Sequence, residues 1–167
     1  VRRLLPRVEV IAEPAARNTV AAVILAATRI YGEDPDAVLV VVSADHWIPD
    51  RAAFRRTMAA AAARAGRAGT VVLVGVRPDR PATGYGYIRR GTEQDGWAVV
   101  AEFVQKPDAA TAVTYVSSGR YLWNSGIFMM QASVWLDAIG IGRPDILAAC
   151  QAAWEQGKTD GEFVRVG

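Results

Sequence analysis

Cysteine and histidine are nearly absent: the 167 residues hold one of each, Cys150 and His46. A lone cysteine excludes an internal disulfide framework and a thiolate zinc site, and one imidazole is too few for a histidine metal cage. This usage fits a reducing cytoplasm. Lysine is scarce too, with only Lys106 and Lys158 among nineteen basic residues. The rest are arginines and alanine is abundant, a compositional bias that makes each lysine an unusual choice. Neither sign of charge is in large excess: nineteen basic against seventeen acidic side chains leave +2, so no nucleic-acid partner is expected. No uncharged run reaches the roughly 18 residues that span a bilayer, and Val1 opens no signal-peptide pattern, so no membrane partner is expected either. Internal repeats, low-complexity tracts and linkers are also lacking. Against these absences, 51% hydrophobic and 22% charged residues supply the apolar content of one globular domain covering 1–167.

Along the chain, 7–12 alternates and stops at Glu13-Pro14, which reads as a short strand. Asn18 or Thr19 can cap a helix whose apolar residues recur at helical spacing to Tyr31, before Gly32. Ala37 to Val42 is a continuous β-branched run suited to a strand covered on both faces. Asp50 opens a helix with Phe54, Met58, Ala61 and Ala65 on one face, ended by Gly66 and Gly69, and Thr70 to Val76 is the next strand. Further strands are expected at 85–90, 97–104 and 122–130, helices after Asp108 and Ser133 and over 145–156, and an unfinished strand in 157–167. Alternating strands and helices favour an α/β layer fold, Rossmann-like in its first half.

Open α/β sheets bind ligands beyond the carboxyl ends of their strands, which draws attention to Ser43-Ala44-Asp45-His46. Asp45 reads either as a Mg²⁺ ligand or as a turn or capping residue. His46 reads as an orienting or structural side chain. Arg17 and Asn18 stand before a helix N-terminus, where free N–H groups favour anions, although Asn18 also suits an ordinary cap. Thr83-Gly84-Tyr85-Gly86-Tyr87 allows close backbone approach to a ligand, or a turn, and is not a dinucleotide fingerprint. Lys106, pinned by Pro107, suits a phosphate; the ordinary alternative is a solvated surface lysine. Asn124-Ser125-Gly126 places polar groups inside an apolar strand, where they need a ligand or backbone partner. A hydrolase triad through Ser125 is not expected, because no G-x-S-x-G surrounds it.

Taken together and in this order, EPAARNT (13–19), SADH (43–46), TGYGYI (83–88), FVQKP (103–107) and YLWNSGIF (121–128) resemble the sugar-1-phosphate nucleotidyltransferases, and within them the guanylyl-transferring branch. The resemblance covers nearly the whole chain. It implies a three-layer α/β/α nucleotide-diphospho-sugar transferase fold with a mixed, mainly parallel sheet. It also implies GTP and mannose-1-phosphate as substrates, GDP-mannose and pyrophosphate as products, and Mg²⁺ as cofactor, in the cytoplasm. Under it Arg17 and Asn18 lie near the nucleotide, and Asp45 holds the metal and takes part in catalysis. Gly84 and Tyr85 border the sugar, Lys106 faces its phosphate and serves the reaction, and Asn124 binds sugar hydroxyls. Gln105, in the place where the family carries glutamate, also lies on the sugar-phosphate side. The family's opening glycine-rich loop and later metal-binding aspartate are not seen, so the chain is expected to be an internal fragment, inactive alone. Another nucleotide and hexose-phosphate pair, a non-catalytic sugar-nucleotide-binding domain, and a homodimer stay open.

Overall fold

A computed structural model describes residues 8–15, 19–160 and 163–167. In chain order its elements are β1 (Val10–Ala12), α1 (Thr19–Tyr31), β2 (Val38–Val41), α2 (Arg51–Ala68), β3 (Val72–Val76), β4 (Gly86–Gln94), β5 (Trp97–Gln105), α3 (Ala109–Ser118), β6 (Tyr121–Gln131), α4 (Ala132–Gly142), α5 (Pro144–Glu155), β7 (Lys158–Asp160) and β8 (Phe163–Arg165). The class is α/β with mixed strand directions, as expected. One sheet runs β1-β8-β7, with β1 and β8 parallel and β7 and β8 antiparallel. The other runs β2-β6-β4-β5, with β3 also paired to β6. The chain expected as one domain groups into two compact units. The first takes the described residues up to Val41, with Ile48–Val72 and Met129–Gly167; the second takes Val42–Trp47 and Leu73–Phe128.

In the first unit, α1 has apolar residues nearly all round because two later helices pack on it. Ile24 and Leu25 are buried with Cys150 and Val166, against Trp135 and Leu136 of α4 and Ile146 and Leu147 of α5. Each such aliphatic side chain contributes about 1.5–3 kcal/mol by leaving water. Burial first, and then the Glu13 carboxylate, push the Cys150 thiol above its usual pKa, so it behaves as a small apolar group. At the start of α2 the Asp50 side chain accepts from Ala53 N at 2.8 Å. That helix runs through Gly66 and stops at Gly69, whose φ of 56° is the left-handed cap that glycine adopts without strain. Helix α4 starts at Ala132, two residues ahead of expectation. Its first free N–H groups are met by the turn before β2, Ala132 N donating to Ala37 O and Ser133 N to Pro35 O.

In the second unit, β4 and β5 form an antiparallel hairpin through Asp95 and Gly96, both at positive φ. Strand β4 runs on to Gln94, beyond the expected stretch, with register shifts at Arg89/Arg90 and between Arg90 and Glu93. Tyr87, Ala112 and Trp123 are buried together under Tyr115, Val116 and Tyr121, which seats α3 against β4 and β6. Tyr87 reaches zero exposure because its hydroxyl finds a partner, donating to the Ala82 carbonyl at 2.8 Å. Among the described residues no helix is long and apolar enough to cross a membrane.

Candidate functional site

Strand β5 ends at Gln105, and the chain turns there into α3 through three residues of different character. Lys106 has φ of +46°, the left-handed region that side chains other than glycine enter at a cost of about 1–2 kcal/mol. Pro107 is buried and disfavours the ordinary helical conformation for the lysine before it. Asp108 caps α3, accepting from Thr111 N at 2.8 Å and from Thr111 Oγ1 at 3.0 Å. Those two bonds, the backbone one foremost, hold the Asp108 carboxyl below its usual pKa. The result is an exposed ammonium on a corner clamped on both sides. Strain of this kind collects at functional sites.

Register sets what lies beside that corner. Gly86, the first residue of β4, pairs with Gln105, and Tyr87 pairs with Trp123, which brings Gly86 beside Asn124 of β6. A Cβ built on Gly86 would lie 3.3 Å from Phe103 Cζ and 3.5 Å from Asn124 Cβ. Gln105, Gly86 and Asn124 therefore form a row across three strands on one face, with the Phe103 ring over the middle position where a side chain would be. Gly84 and Tyr85 lead into this end of β4 as Lys106 leaves β5, so all five expected sugar-side residues lie at one end of the second unit's strands, Tyr85 on the face of Trp123 rather than that of the row. A Cβ on Gly84 would meet no atom within 4 Å. Gly86 escaped the sequence reading; the spacing of two glycines was visible, but only cross-strand register shows which one faces Asn124.

The polar strand interior is satisfied in a directed way. Asn124 Oδ1 accepts from Gly126 N at 3.1 Å, which commits the oxygen and leaves the amide NH₂ as the group able to donate. Gly126 itself sits at φ +73°. Ser125 Oγ donates to the Val74 carbonyl at 2.6 Å and accepts from Ile127 N at 3.2 Å. A hydroxyl so engaged is structural, in line with the absence of a triad. Tyr85 turns its ring edge-on to Trp123, with centroids 5.0 Å apart.

Asp45 and His46 lie exposed on the segment after β2 that groups with this unit. Among the described residues no group of three or more His, Cys, Asp or Glu side chains is assembled to hold an ion. Mg²⁺ is commonly held by one or two carboxylates together with substrate phosphates, and Asp45 supplies one such solvent-facing carboxylate. Arg17 and Asn18 lie outside the described residues.

Residues 3–167 match the nucleotidyl transferase family. The chain is 46% identical to the mannose-1-phosphate guanylyltransferase of Escherichia coli (strain K12) over 164 residues, covering 94% of this chain and 34% of that protein. It is 44% identical to the xanthan biosynthesis protein XanB of Xanthomonas campestris pv. campestris (strain B100) over 157 residues, covering 94% and 33%. The chain thus spans about a third of the length of these curated relatives. Among solved structures, a mannose-6-phosphate isomerase from Helicobacter pylori superposes with a TM-score of 0.82 at 32% identity, over 94% of this chain and 60% of the other. A mannose-1-phosphate geranyltransferase from Thermus thermophilus gives 0.77 at 35% identity, over 83% and 40%. With the family match running over nearly its whole length, the chain belongs to the nucleotidyl transferases.

Proposed function

We propose that this chain is part of a mannose-1-phosphate guanylyltransferase, working in the cytoplasm. A phosphate oxygen of mannose-1-phosphate attacks the α-phosphorus of GTP, the bond from that phosphorus to the bridging oxygen breaks, and GDP-mannose and pyrophosphate result. The observation that carries this reading is the 46% identity to the E. coli enzyme of that name across 94% of the chain. The geometry supports it: Gly86 stands between Gln105 and Asn124 under the exposed Phe103 ring, and Lys106 supplies a cation at the same strand end.

In this reaction the protein's work is to position the reactants and to neutralise charge, because both partners are anions. Lys106 holds the sugar phosphate, and the strained corner fixes where its chain begins. The Asn124 amide donates to a sugar hydroxyl, while Gln105, from the opposite strand, contacts the ring as a neutral group. Arg17 and Asn18 take the nucleotide side. Asp45 would hold Mg²⁺, which when bound would supply charge neutralisation to the reacting phosphates.

The test is pyrophosphate release by the intact protein that carries this chain, with GTP, UTP, ATP and dTTP each paired with mannose-1-phosphate and with glucose-1-phosphate. The highest kcat/KM is expected for GTP with mannose-1-phosphate. Preference for another pair would replace the substrate assignment, and no pyrophosphate with any pair would remove the enzymatic one.

A further inference from the structure

Strand β5 carries a large apolar side chain where water reaches it. Phe103 is 43% exposed, two residues before the strand ends at Gln105. Phenylalanine is among the residues most often buried, and this one lies at the surface. Alternation along β5 puts Phe103 and Gln105 on the same face of the sheet. Phe103 pairs with Ile88, which is buried, and Gln105 pairs with Gly86. The ring does not stay over its own partner. It leans one pair along the strand, so that a Cβ on Gly86 would lie 3.3 Å from its Cζ and 3.5 Å from its Cε1. The lean uses the room that Gly86 leaves, since a side chain there would press on the ring.

The groups around this ring are polar and uncharged. Asn124 lies across Gly86 from Gln105, its Cβ 3.5 Å from the same added atom. Its oxygen is taken by Gly126 N, so its NH₂ remains to donate. Glu102 alternates to the other face of the sheet, where it pairs with Arg89 at 2.9 Å. An apolar plate flanked by two neutral amides, with the Lys106 cation next along the chain, matches the parts of a hexose phosphate: a face of C–H bonds, hydroxyls round its edge and an anion at one corner. The C–H hydrogens carry partial positive charge and meet the negative face of an aromatic ring. A leucine would cover similar area without that face.

We propose that Phe103 is a binding residue for the hexose ring of the sugar phosphate, its aromatic face covering the sugar's C–H face beside Gly86 while Gln105 and Asn124 take hydroxyls. This rests on the function proposed above.

The test measures equilibrium binding of mannose-1-phosphate, glucose-1-phosphate, inorganic phosphate and GTP to the intact protein and to its Phe103→Leu and Phe103→Tyr variants. Phe103→Leu should weaken the preferred sugar phosphate by about fivefold, as loss of an aromatic contact does, and leave inorganic phosphate and GTP unchanged. Phe103→Tyr, which keeps the ring, should bind that sugar phosphate within about twofold of the wild type. In the wild type, NMR saturation of the protein's aromatic protons should pass to the C–H protons of the bound sugar, and this transfer should weaken in Phe103→Leu. Unchanged sugar-phosphate affinity in Phe103→Leu, or an equal loss for GTP or for inorganic phosphate, would overturn the proposal. Should Phe103→Leu not fold, absence of transfer to the sugar's C–H protons in the wild type would overturn it. If the wild type prefers glucose-1-phosphate, the mannose reading falls while the Phe103 comparison is read on that ligand. If it binds no sugar phosphate, both fall.

Discussion

Gly86 and Asn124 face each other across β4 and β6 so closely that a methyl group on the glycine would stand 3.5 Å from the Cβ of the asparagine. Its one tighter contact, 3.3 Å, is with Phe103 Cζ, the outer end of an exposed ring that can turn aside. Gly86→Ala is therefore expected to fold, with a thermal midpoint near that of the wild type. The added methyl pushes the Phe103 ring toward the proposed sugar site, and one misplaced carbon in a binding pocket costs about 10–200-fold in discrimination. KM for mannose-1-phosphate should rise by about tenfold or more while that for GTP holds. An unchanged sugar KM would place the sugar elsewhere.

Asp45→Asn keeps the shape of the side chain and removes its charge. The loop should stay folded, since Asp45 is exposed. Turnover should fall by about 10²-fold or more, as for loss of a main electrostatic contact to the reacting phosphates, and the Mg²⁺ concentration for half-maximal rate should rise. Retained rate with the same Mg²⁺ dependence would make Asp45 a turn residue.

Lys106 offers a separation of stability from function. Lys106→Gly relieves left-handed strain worth about 1–2 kcal/mol, offset by about 0.5–1 kcal/mol of added chain freedom in the unfolded state. The thermal midpoint should stay level or rise slightly, whereas Lys106→Ala, which keeps the strain, should show no such gain. Both variants should lose about tenfold in affinity for the sugar phosphate. Full affinity in either would show that the ammonium does not reach the phosphate.

Asp108 gives a pH signature. Its folded pKa lies below the usual carboxylate value, through the bonds from Thr111. Its stabilisation is thus complete above the unfolded pKa of about 3.9 and is lost as pH falls through the lower folded value. Asp108→Ala should lower the urea midpoint at pH 7, and the gap between the two proteins should shrink steadily below about pH 4. A gap that stayed constant to pH 2 would mean that the cap acts through something other than the carboxylate's charge.

Much of this was legible beforehand because the signals are local. Asp50 and Asp108 were recognisable as helix openers, and both cap. The apolar side of α2 is legible from its spacing, and Ala61 and Ala65 are buried there. The sugar-side residues were legible as separate motifs, but not as a row, since the order of strands across a sheet depends on contacts between distant segments. The strain at Lys106 could not be read at all: a lysine before a proline predicts extended backbone, and the tertiary structure overrides it. The pairing of β8 with β1 was invisible for the same reason, because neither three-residue strand carries a mark of its partner.

That pairing has a consequence for how the polypeptide acquires its structure. Val10 to Ala12 find their parallel partners at Phe163 to Arg165. A ribosome makes the first of these strands early and the second near the end of the described chain. Leu73–Phe128, by contrast, is nearly continuous and can assemble its hairpin and α3 while α4 and α5 are still being synthesised. The first unit must wait, with the apolar face of α1 uncovered until those two helices arrive. Closing so long a loop is slow. The interval between those two events is when a chaperone or a premature stop would have its largest effect.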